Sequence, residues 1–219
     1  MLTFLFTFLP PLLILFYIIN SDKFKEPTNL IIEVFIIGML LIIPGGILNS
    51  IFIFSAEDPF SRTYLAGFTE ETLKFIVLFF YVAKKSAFNE PMDAIVYGVL
   101  ISLGFATYEN YEYVYLFQQY PNTSVAILRS FTAIPMHAIA AILMGYHIGI
   151  YFFRGAKFSL LKAFLYPILF HGIYNFLVTV LGIFSVIWVL IMYIYARFLH
   201  GVFLKEQATK KSEQESKVR

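Results

Sequence analysis

The chain has 219 residues, of which 59% are hydrophobic and 14% are charged, and it contains no cysteine. Water-soluble domains are about 45–50% apolar and about 25% charged, so this composition excludes a soluble globular protein and indicates a membrane protein. The lack of cysteine excludes disulfide scaffolds, cysteine nucleophiles and thiolate metal sites, and a net charge of +2 without a basic stripe argues against a nucleic-acid partner.

Seven mostly apolar stretches are long enough to cross a bilayer, whose hydrocarbon core of about 30 Å needs roughly 20 helical residues. The first is predicted to be a retained helix, because no basic residue precedes it and no small-residue cleavage pattern follows it. The residues after the last stretch form a charged tail that lacks the apolar surface needed to pack. The predicted spans are 2–19, 29–54, 64–83, 91–117, 125–153, 158–181 and 184–204, which gives a transmembrane bundle at 1–204 and a cytoplasmic tail at 205–219.

Basic residues are concentrated in every second connection between these spans. Such connections face the cytoplasm under the positive-inside rule, so the N-terminus is predicted outside and the C-terminus inside. The sequence therefore predicts an all-α, polytopic transmembrane helix bundle of about seven spans. The basic residues behind this orientation are Lys23, Lys25, Lys84, Lys85, Arg154, Lys157 and Lys162, with Lys205, Lys210, Lys211, Lys217 and Arg219 in the tail.

Four predicted spans contain polar groups that are costly in hydrocarbon, at about 2.5–3.5 kcal/mol for each charge on insertion scales. Counting 1.5 Å per residue from the outer end of each span places Glu70, Glu109, His137 and His171 at depths of about 9 to 15 Å. Groups from four helices are thus predicted in one layer of the outer half of the membrane. The full set is Glu70, Glu71 and Lys74 of the third span, Glu109 of the fourth, His137 of the fifth, and His171 and Asn175 of the sixth.

Carboxylates and imidazoles in a hydrated pocket suit the activation of water. Glu70 and Glu71 are adjacent, with Lys74 one turn away, and in this setting one of the two desolvated carboxylates can be held ready as a general base. His171 and Asn175 share a helix face and can donate hydrogen bonds to an oxyanion at a peptide carbonyl. The predicted reaction is amide hydrolysis without a covalent intermediate, with no cofactor and no metal. The sequence has no HExxH motif of zinc proteases, no Gly-x-Ser-x-Gly elbow of serine hydrolases and no Gly-Asp pair of aspartyl proteases, so these three plans are set aside.

Several alternatives stay open from the residues alone. The same groups could form the relay of a proton-coupled secondary transporter, although the sequence has no internal repeat. Glu70, Glu109, His137 and His171 could instead hold zinc or iron in a metal-dependent membrane hydrolase. Each group could also be structural, as a helix-orienting ion pair or a hydrogen-bonded core histidine. Neighbouring residues on a helix point about 100° apart, so either Glu70 or Glu71 could be the base.

Other polar and small residues are predicted to have structural roles. Arg129 and Asp93 lie near span ends as interfacial anchors or caps, and Asp93 follows Pro91 where an acid complements the helix dipole. His200 counts to the inner interface and is predicted to be structural. Small residues are predicted to let helices approach closely, and these are Gly98, Gly104, Gly145 and Gly172.

The polar motifs resemble those of the PrsW family, which belongs to a group of glutamate-dependent intramembrane endopeptidases that includes the type II CAAX-prenyl proteases. The resemblance covers almost the whole chain, and its specific part lies between about Tyr64 and Phe176. Glu109 and Lys74 stand where CAAX proteases usually have His and Arg, which argues against prenyl-protein processing. The motifs are Glu70-Glu71-x-x-Lys74, Phe105-x-x-x-Glu109, His137-Ala138 and His171-Gly172-x-Tyr174-Asn175.

The resemblance implies a multi-pass protease of the bacterial plasma membrane that starts regulated intramembrane proteolysis in a stress response. Its implied substrate is a single-span anti-sigma factor in the lipid bilayer, cut first on the extracytoplasmic side. We expect the matching residues to be catalytic, with Lys74 and Phe105 in support. In this hypothesis Glu70 activates a water also held by Glu109 and His137, His171 and Asn175 stabilise the oxyanion, and Glu71 and Lys74 tune the site.

Overall fold

The computed structural model describes the backbone of residues 1–54 and 58–218, and the side chains of these residues apart from 53, 54, 59–61 and 218. This part of the chain consists of helices joined by short connections and has no strand, which confirms the predicted all-α polytopic bundle. The helices are α1 (Leu2–Ser21), α2 (Thr28–Leu40), α3 (Ile42–Phe54), α4 (Pro59–Ile76), α5 (Pro91–Tyr111), α6 (Thr123–Phe131), α7 (Ala133–Arg154), α8 (Phe158–Leu181) and α9 (Ser185–Val218).

Two predicted spans are each divided into two helices, and a proline explains both breaks. A proline inside a helix has no N–H to donate, and its ring clashes with the carbonyl four residues earlier. Pro44 therefore ends α2 at Leu40, and Pro135 ends α6 at Phe131. Both helices stop at the residue whose carbonyl the proline ring would meet. Helix α2 packs on α5, whereas α3 packs mainly on α4.

Within residues 1–54 and 58–218, five helical stretches are long and apolar enough to cross a membrane. The last of them contains both α8 and α9, which a short 3₁₀ turn joins, so it covers two predicted spans. Helix α4, which carries Glu70, Glu71 and Lys74, is not among the five. The count of seven spans and the N-terminus-out orientation therefore stay predictions. The stretches are Leu2–Ser21, Thr28–Phe52, Pro91–Leu116, Thr123–Arg154 and Phe158–Lys217.

The core is built around α5, which is buried along almost its whole length. It packs against α7, α2 and α1, while α4 packs mainly on α8, and α8 also packs on α7. The four helices α4, α5, α7 and α8 therefore meet in the middle of the bundle. These are the helices that carry the polar residues singled out in the sequence.

Close approach of these helices depends on glycine, as predicted. A Cβ atom at Gly145 of α7 would overlap the Ala94 carbonyl oxygen of α5. A Cβ at Gly67 of α4 would lie 2.9 Å from the backbone nitrogen of Gly172 in α8. Because the obstructing atoms belong to the backbone, the helices would have to separate to accept a methyl group.

Replacing Gly145 with alanine should destabilise the bundle by about 1–3 kcal/mol, because the methyl group forces α5 and α7 apart. Gly201 of α9 has no heavy atom within 4 Å of the corresponding Cβ position. The matched Gly201→Ala variant should therefore keep or slightly raise stability, since alanine is the better helix former. Thermal unfolding of both purified variants in the same detergent measures the difference, and equal unfolding temperatures would contradict the packing argument.

A carboxylate cluster of Asp22, Glu26, Glu90 and Asp93 joins the start of α5 to α9. Asp93 Oδ2 accepts a hydrogen bond from the Glu90 backbone nitrogen at 2.8 Å, which confirms the predicted cap. Buried Gln207 of α9 donates from Nε2 to Asp22 Oδ1 at 2.6 Å and to Glu90 Oε1. The prediction that the tail does not pack is wrong for its first turn, because Gln207 is buried against Asp22 and Glu90. Arg219, the last tail residue, lies outside the described residues.

Candidate active site

A cavity of about 580 Å³ lies where α3, α4, α5, α7 and α8 meet. Six of the eight predicted site residues line it, and the other two, Glu71 and Lys74, are buried directly behind them. Groups predicted to share one layer from four separate helices are therefore brought together. The lining members of the predicted set are Glu70, Phe105, Glu109, His137, His171 and Asn175.

Glu71 is the centre of the buried side of this site. Its Oε1 accepts hydrogen bonds from Lys74 Nζ at 2.7 Å and from His171 Nδ1 at 2.9 Å. Lys74 also contacts His137 Nδ1 at 3.0 Å, and its ammonium lies 4.5 Å from the centre of the Phe105 ring. The lysine stands one turn after the glutamate on α4, so the helix itself sets this pair. The Lys74 ammonium thus links the Glu71 carboxylate to the His137 imidazole.

Glu109 connects this group to the outer part of the cavity. Its Oε2 lies 2.6 Å from Arg129 Nη2 and 3.0 Å from His137 Nε2. A carboxylate can only accept, so the proton of His137 is on Nε2 and its Nδ1 accepts from Lys74. The imidazole is therefore fixed on both sides by charged groups.

Arg129 is a site residue that the sequence analysis missed. Its side chain is 13% exposed and joins Glu109, so the prediction of an interfacial anchor is wrong. The Nε atom donates to Asn110 Oδ1 at 2.9 Å, and the guanidinium lies 4.1 Å from the Tyr113 ring centre. A depth comparison could have found it, because Arg129 counts about 6 Å below the outer end of its span and its side chain can reach the Glu109 layer.

Glu70 and His171 face each other across a short gap. His171 donates from Nδ1 to Glu71, which leaves its Nε2 3.9 Å from Glu70 Oε2. This carboxylate oxygen is buried and has no hydrogen-bond partner among the described residues. Lys74 Nζ lies 3.8 Å away, too far for a hydrogen bond. Glu70 therefore presents a free acceptor, whereas Glu71 is engaged and does not line the cavity.

Asn175 lines the cavity one turn along α8 from His171, but it does not contact the carboxylates or imidazoles. Its Nδ2 donates to the Thr63 backbone oxygen of α4 at 3.3 Å. That distance is long for a hydrogen bond, so the amide is only weakly held. Asn175 and His171 thus line the same cavity, as predicted, but they do not contact each other.

Four residues of this site match the requirements of a divalent metal. Glu70, Glu71, His137 and His171 each offer one ligand atom, and these atoms all lie within 4.8 Å of one another. Carboxylate oxygen and imidazole nitrogen are the ligands of catalytic zinc, and the buried oxygens Glu70 Oε2 and Glu71 Oε2 have no partner among the described residues. Glu71 takes the place of Glu109 in the predicted ligand set, because Glu109 is held by Arg129.

Comparison with known proteins gives one consistent family. The family model described as PrsW family intramembrane metalloprotease matches residues 26–202. The chain is 34% identical to Protease PrsW of Clostridioides difficile (strain 630) over 188 residues, covering 81% of this chain and 79% of that protein. It is also 34% identical to Protease PrsW of Oceanobacillus iheyensis, over 84% of this chain and 90% of that protein. Its identity to Protease PrsW of Bacillus subtilis (strain 168) is 31%, over 79% of this chain and 81% of that protein. No solved structure matches the chain. The chain belongs to the PrsW family of bacterial intramembrane proteases, so it is a multi-pass membrane peptide hydrolase.

Proposed function

We propose that this protease hydrolyses its membrane-protein substrate with a water molecule activated by Glu70. The observation that carries the proposal is the free, buried Glu70 Oε2, which faces His171 Nε2 at 3.9 Å beside the cavity. A carboxylate oxygen without a hydrogen-bond partner can accept a proton from water, and Glu70 and His171 both line the cavity that can hold substrate groups. The proposal assigns the base to Glu70 and not to Glu71, because Glu71 Oε1 already accepts hydrogen bonds from Lys74 and His171.

Peptide hydrolysis needs a base, an electrophilic carbonyl and a proton donor for the leaving amine. Glu70 takes a proton from water as the water oxygen bonds to the scissile carbonyl carbon. When His171 is doubly protonated, its Nδ1–H stays on Glu71 and its Nε2–H donates to the oxyanion that forms. The Asn175 amide is a second donor once it leaves its weak bond to Thr63. Glu70 then returns the proton to the amide nitrogen as the C–N bond breaks.

A second group of side chains acts through the residues that touch substrate. This group consists of Glu71, Lys74, Glu109, Arg129 and His137. Glu71 fixes the His171 ring through Nδ1, and Glu109 fixes His137 through Nε2. Rings held by hydrogen bonds need no reorganisation when charge develops in the transition state. The arrangement requires that these charges remain balanced, since an unpaired buried charge destabilises the bundle.

A metal ion, if bound, would be held by Glu70, Glu71, His137 and His171. Bound zinc supplies Lewis acidity and lowers the pKa of a ligated water to about 7. Lys74 competes with such an ion, because its ammonium contacts both Glu71 Oε1 and His137 Nδ1. The role of this lysine can therefore be measured through metal affinity as well as through cleavage.

Replacing Lys74 with methionine should tighten binding of zinc or cobalt by about tenfold or more, because the change removes a positive charge from beside the ligands. Metal content after dialysis and cobalt absorption spectra measure this without reference to activity. Lys205→Met, on the exposed part of α9, is the matched control and should bind no more metal than the unmodified chain. Unchanged affinity in Lys74→Met would contradict a metal site at these four residues.

We further propose that the substrate is a single-span anti-sigma factor cut on the extracytoplasmic side. The support is the family resemblance together with the depth count. That count places Glu70, Glu109, His137 and His171 in the outer half of the predicted bundle. Co-reconstitution with a candidate anti-sigma factor in liposomes should yield a shortened, membrane-bound product. Mass spectrometry of that product locates the cut, and a cut in the half of the substrate span that faces the cytoplasm would contradict the proposed topology.

A further inference from the structure

A second cavity, also of about 580 Å³, lies between α1, α7 and α9 and shares no lining residue with the active site. Its walls are almost wholly apolar, with side chains such as Leu13, Ile142 and Leu190. Along α9 the lining residues run from Val189 to His200, a length of about 16 Å at 1.5 Å per residue. One leaflet of the hydrocarbon core is about 15 Å thick. The cavity therefore matches the length and polarity of lipid acyl chains.

One end of this lipid-sized cavity carries a cation. Arg197 lines the cavity and is exposed, and its Nη1 donates to the Tyr17 hydroxyl of α1. The guanidinium also lies 5.4 Å from the Tyr17 ring centre. Among the described residues no carboxylate pairs with Arg197. A neutral phenol does not balance a guanidinium, so the positive charge at this end is uncompensated.

His200 provides a second, independent sign of a ligand at the same end. Its side chain is fully buried and lines the cavity. Ser21 Oγ donates to the Ile18 carbonyl at 2.8 Å, so in its 3.2 Å contact with His200 Nε2 the ring nitrogen is the donor. His200 Nδ1 then holds a lone pair and has no partner among the described residues. A buried acceptor of this kind calls for a hydrogen-bond donor.

We propose that this cavity binds an anionic glycerophospholipid, with its acyl chains between α1, α7 and α9, its phosphate at Arg197 and a headgroup hydroxyl at His200. The planar guanidinium matches phosphate in both charge and donor geometry. In the predicted orientation Arg197 lies toward the cytoplasmic end of the last predicted span, 184–204, where basic side chains attract anionic lipids. The inference depends on the membrane location of the protein and is independent of how the active site cleaves peptides.

Lipid binding to the full chain tests the proposal. Phosphatidylglycerol added to protein in neutral detergent should form a complex seen by native mass spectrometry and should raise the unfolding temperature, whereas phosphatidylcholine should do neither. Arg197→Gln should weaken phosphatidylglycerol binding about fivefold, the effect of losing one basic contact with an anionic lipid. Lys205→Gln, a change of an exposed cation on the same helix, should leave binding unchanged.

The acyl-chain part has its own matched pair of variants. Leu190 lines the cavity and neighbouring Ile191 does not, although both are exposed. Leu190→Trp narrows the cavity and should weaken phosphatidylglycerol binding, while Ile191→Trp should not. Equal binding of both lipids, equal loss in Arg197→Gln and Lys205→Gln, or an equal rise in unfolding temperature with inorganic phosphate alone would each overturn the proposal.

Discussion

Replacing Glu70 with glutamine should lower peptide cleavage by at least about 100-fold, the usual contribution of a positioned general base. Glutamine has nearly the same shape, but its amide cannot take the proton from water. Because Glu70 Oε2 has no partner among the described residues, the change breaks no hydrogen bond of that atom. Cleavage of a fluorescent transmembrane peptide in liposomes, at equal amounts of inserted protein, measures the loss.

Glu112 gives the matched control for this experiment. It also lines the active-site cavity, but it is more exposed than Glu70. Glu112→Gln should therefore keep most of the activity while removing the same charge from the same cavity. A correctly inserted Glu70→Gln protein with full activity would eliminate the proposed mechanism, and equal losses in the two variants would point to net charge instead of proton transfer.

Replacing Arg129 with glutamine should destabilise the protein by about 3 kcal/mol, because it leaves the Glu109 carboxylate largely buried without its counterion. Both side chains of this pair are only 13% exposed. Cleavage should fall as well, since Glu109 holds His137 Nε2. Unfolding in detergent measures stability, and the liposome assay measures cleavage at a temperature where both proteins stay folded.

A double variant separates the two effects of Arg129. Combining Arg129→Gln with Glu109→Gln removes both charges, so we expect stability to recover in large part. Cleavage should stay low, because His137 has then lost the carboxylate that orients it. Arg62→Gln, at an exposed arginine that lines the same cavity, should change stability little. If the double variant were less stable than the sum of the single changes predicts, the ion-pair argument would be wrong.

Much of the site could be predicted because hydrocarbon penalises polar groups so strongly. A charged residue in an apolar span needs a partner, and equal depths in four helices left few ways to supply partners except to each other. The contacts of Glu71 with His171 and of Glu109 with His137 follow that logic. The cost of placing a polar group in hydrocarbon makes the depth of a residue informative in a membrane protein, and water-soluble proteins have no such constraint.

Other features depend on how each helix is rotated about its axis and on where its side chains point. Residue spacing along one helix does not determine either. The sequence placed Glu70 and Glu71 at one depth, but only the packing of α4 on α8 decides which carboxylate faces the cavity. Arg129 was taken for an anchor because it lies near the end of a span. The proline break at Phe131 was also missed, since a run of apolar residues continues across it.

Buried Gln207 has a practical consequence for how the protein can be shortened. Its amide stands between Asp22 and Glu90, and Lys210 lies 3.8 Å from the same glutamate. A chain ended at residue 204, where hydropathy alone would place the cut, would leave two acids side by side without an intervening donor. Affinity tags and fusion partners therefore belong beyond Lys210, because the charged sequence up to that residue contacts the bundle.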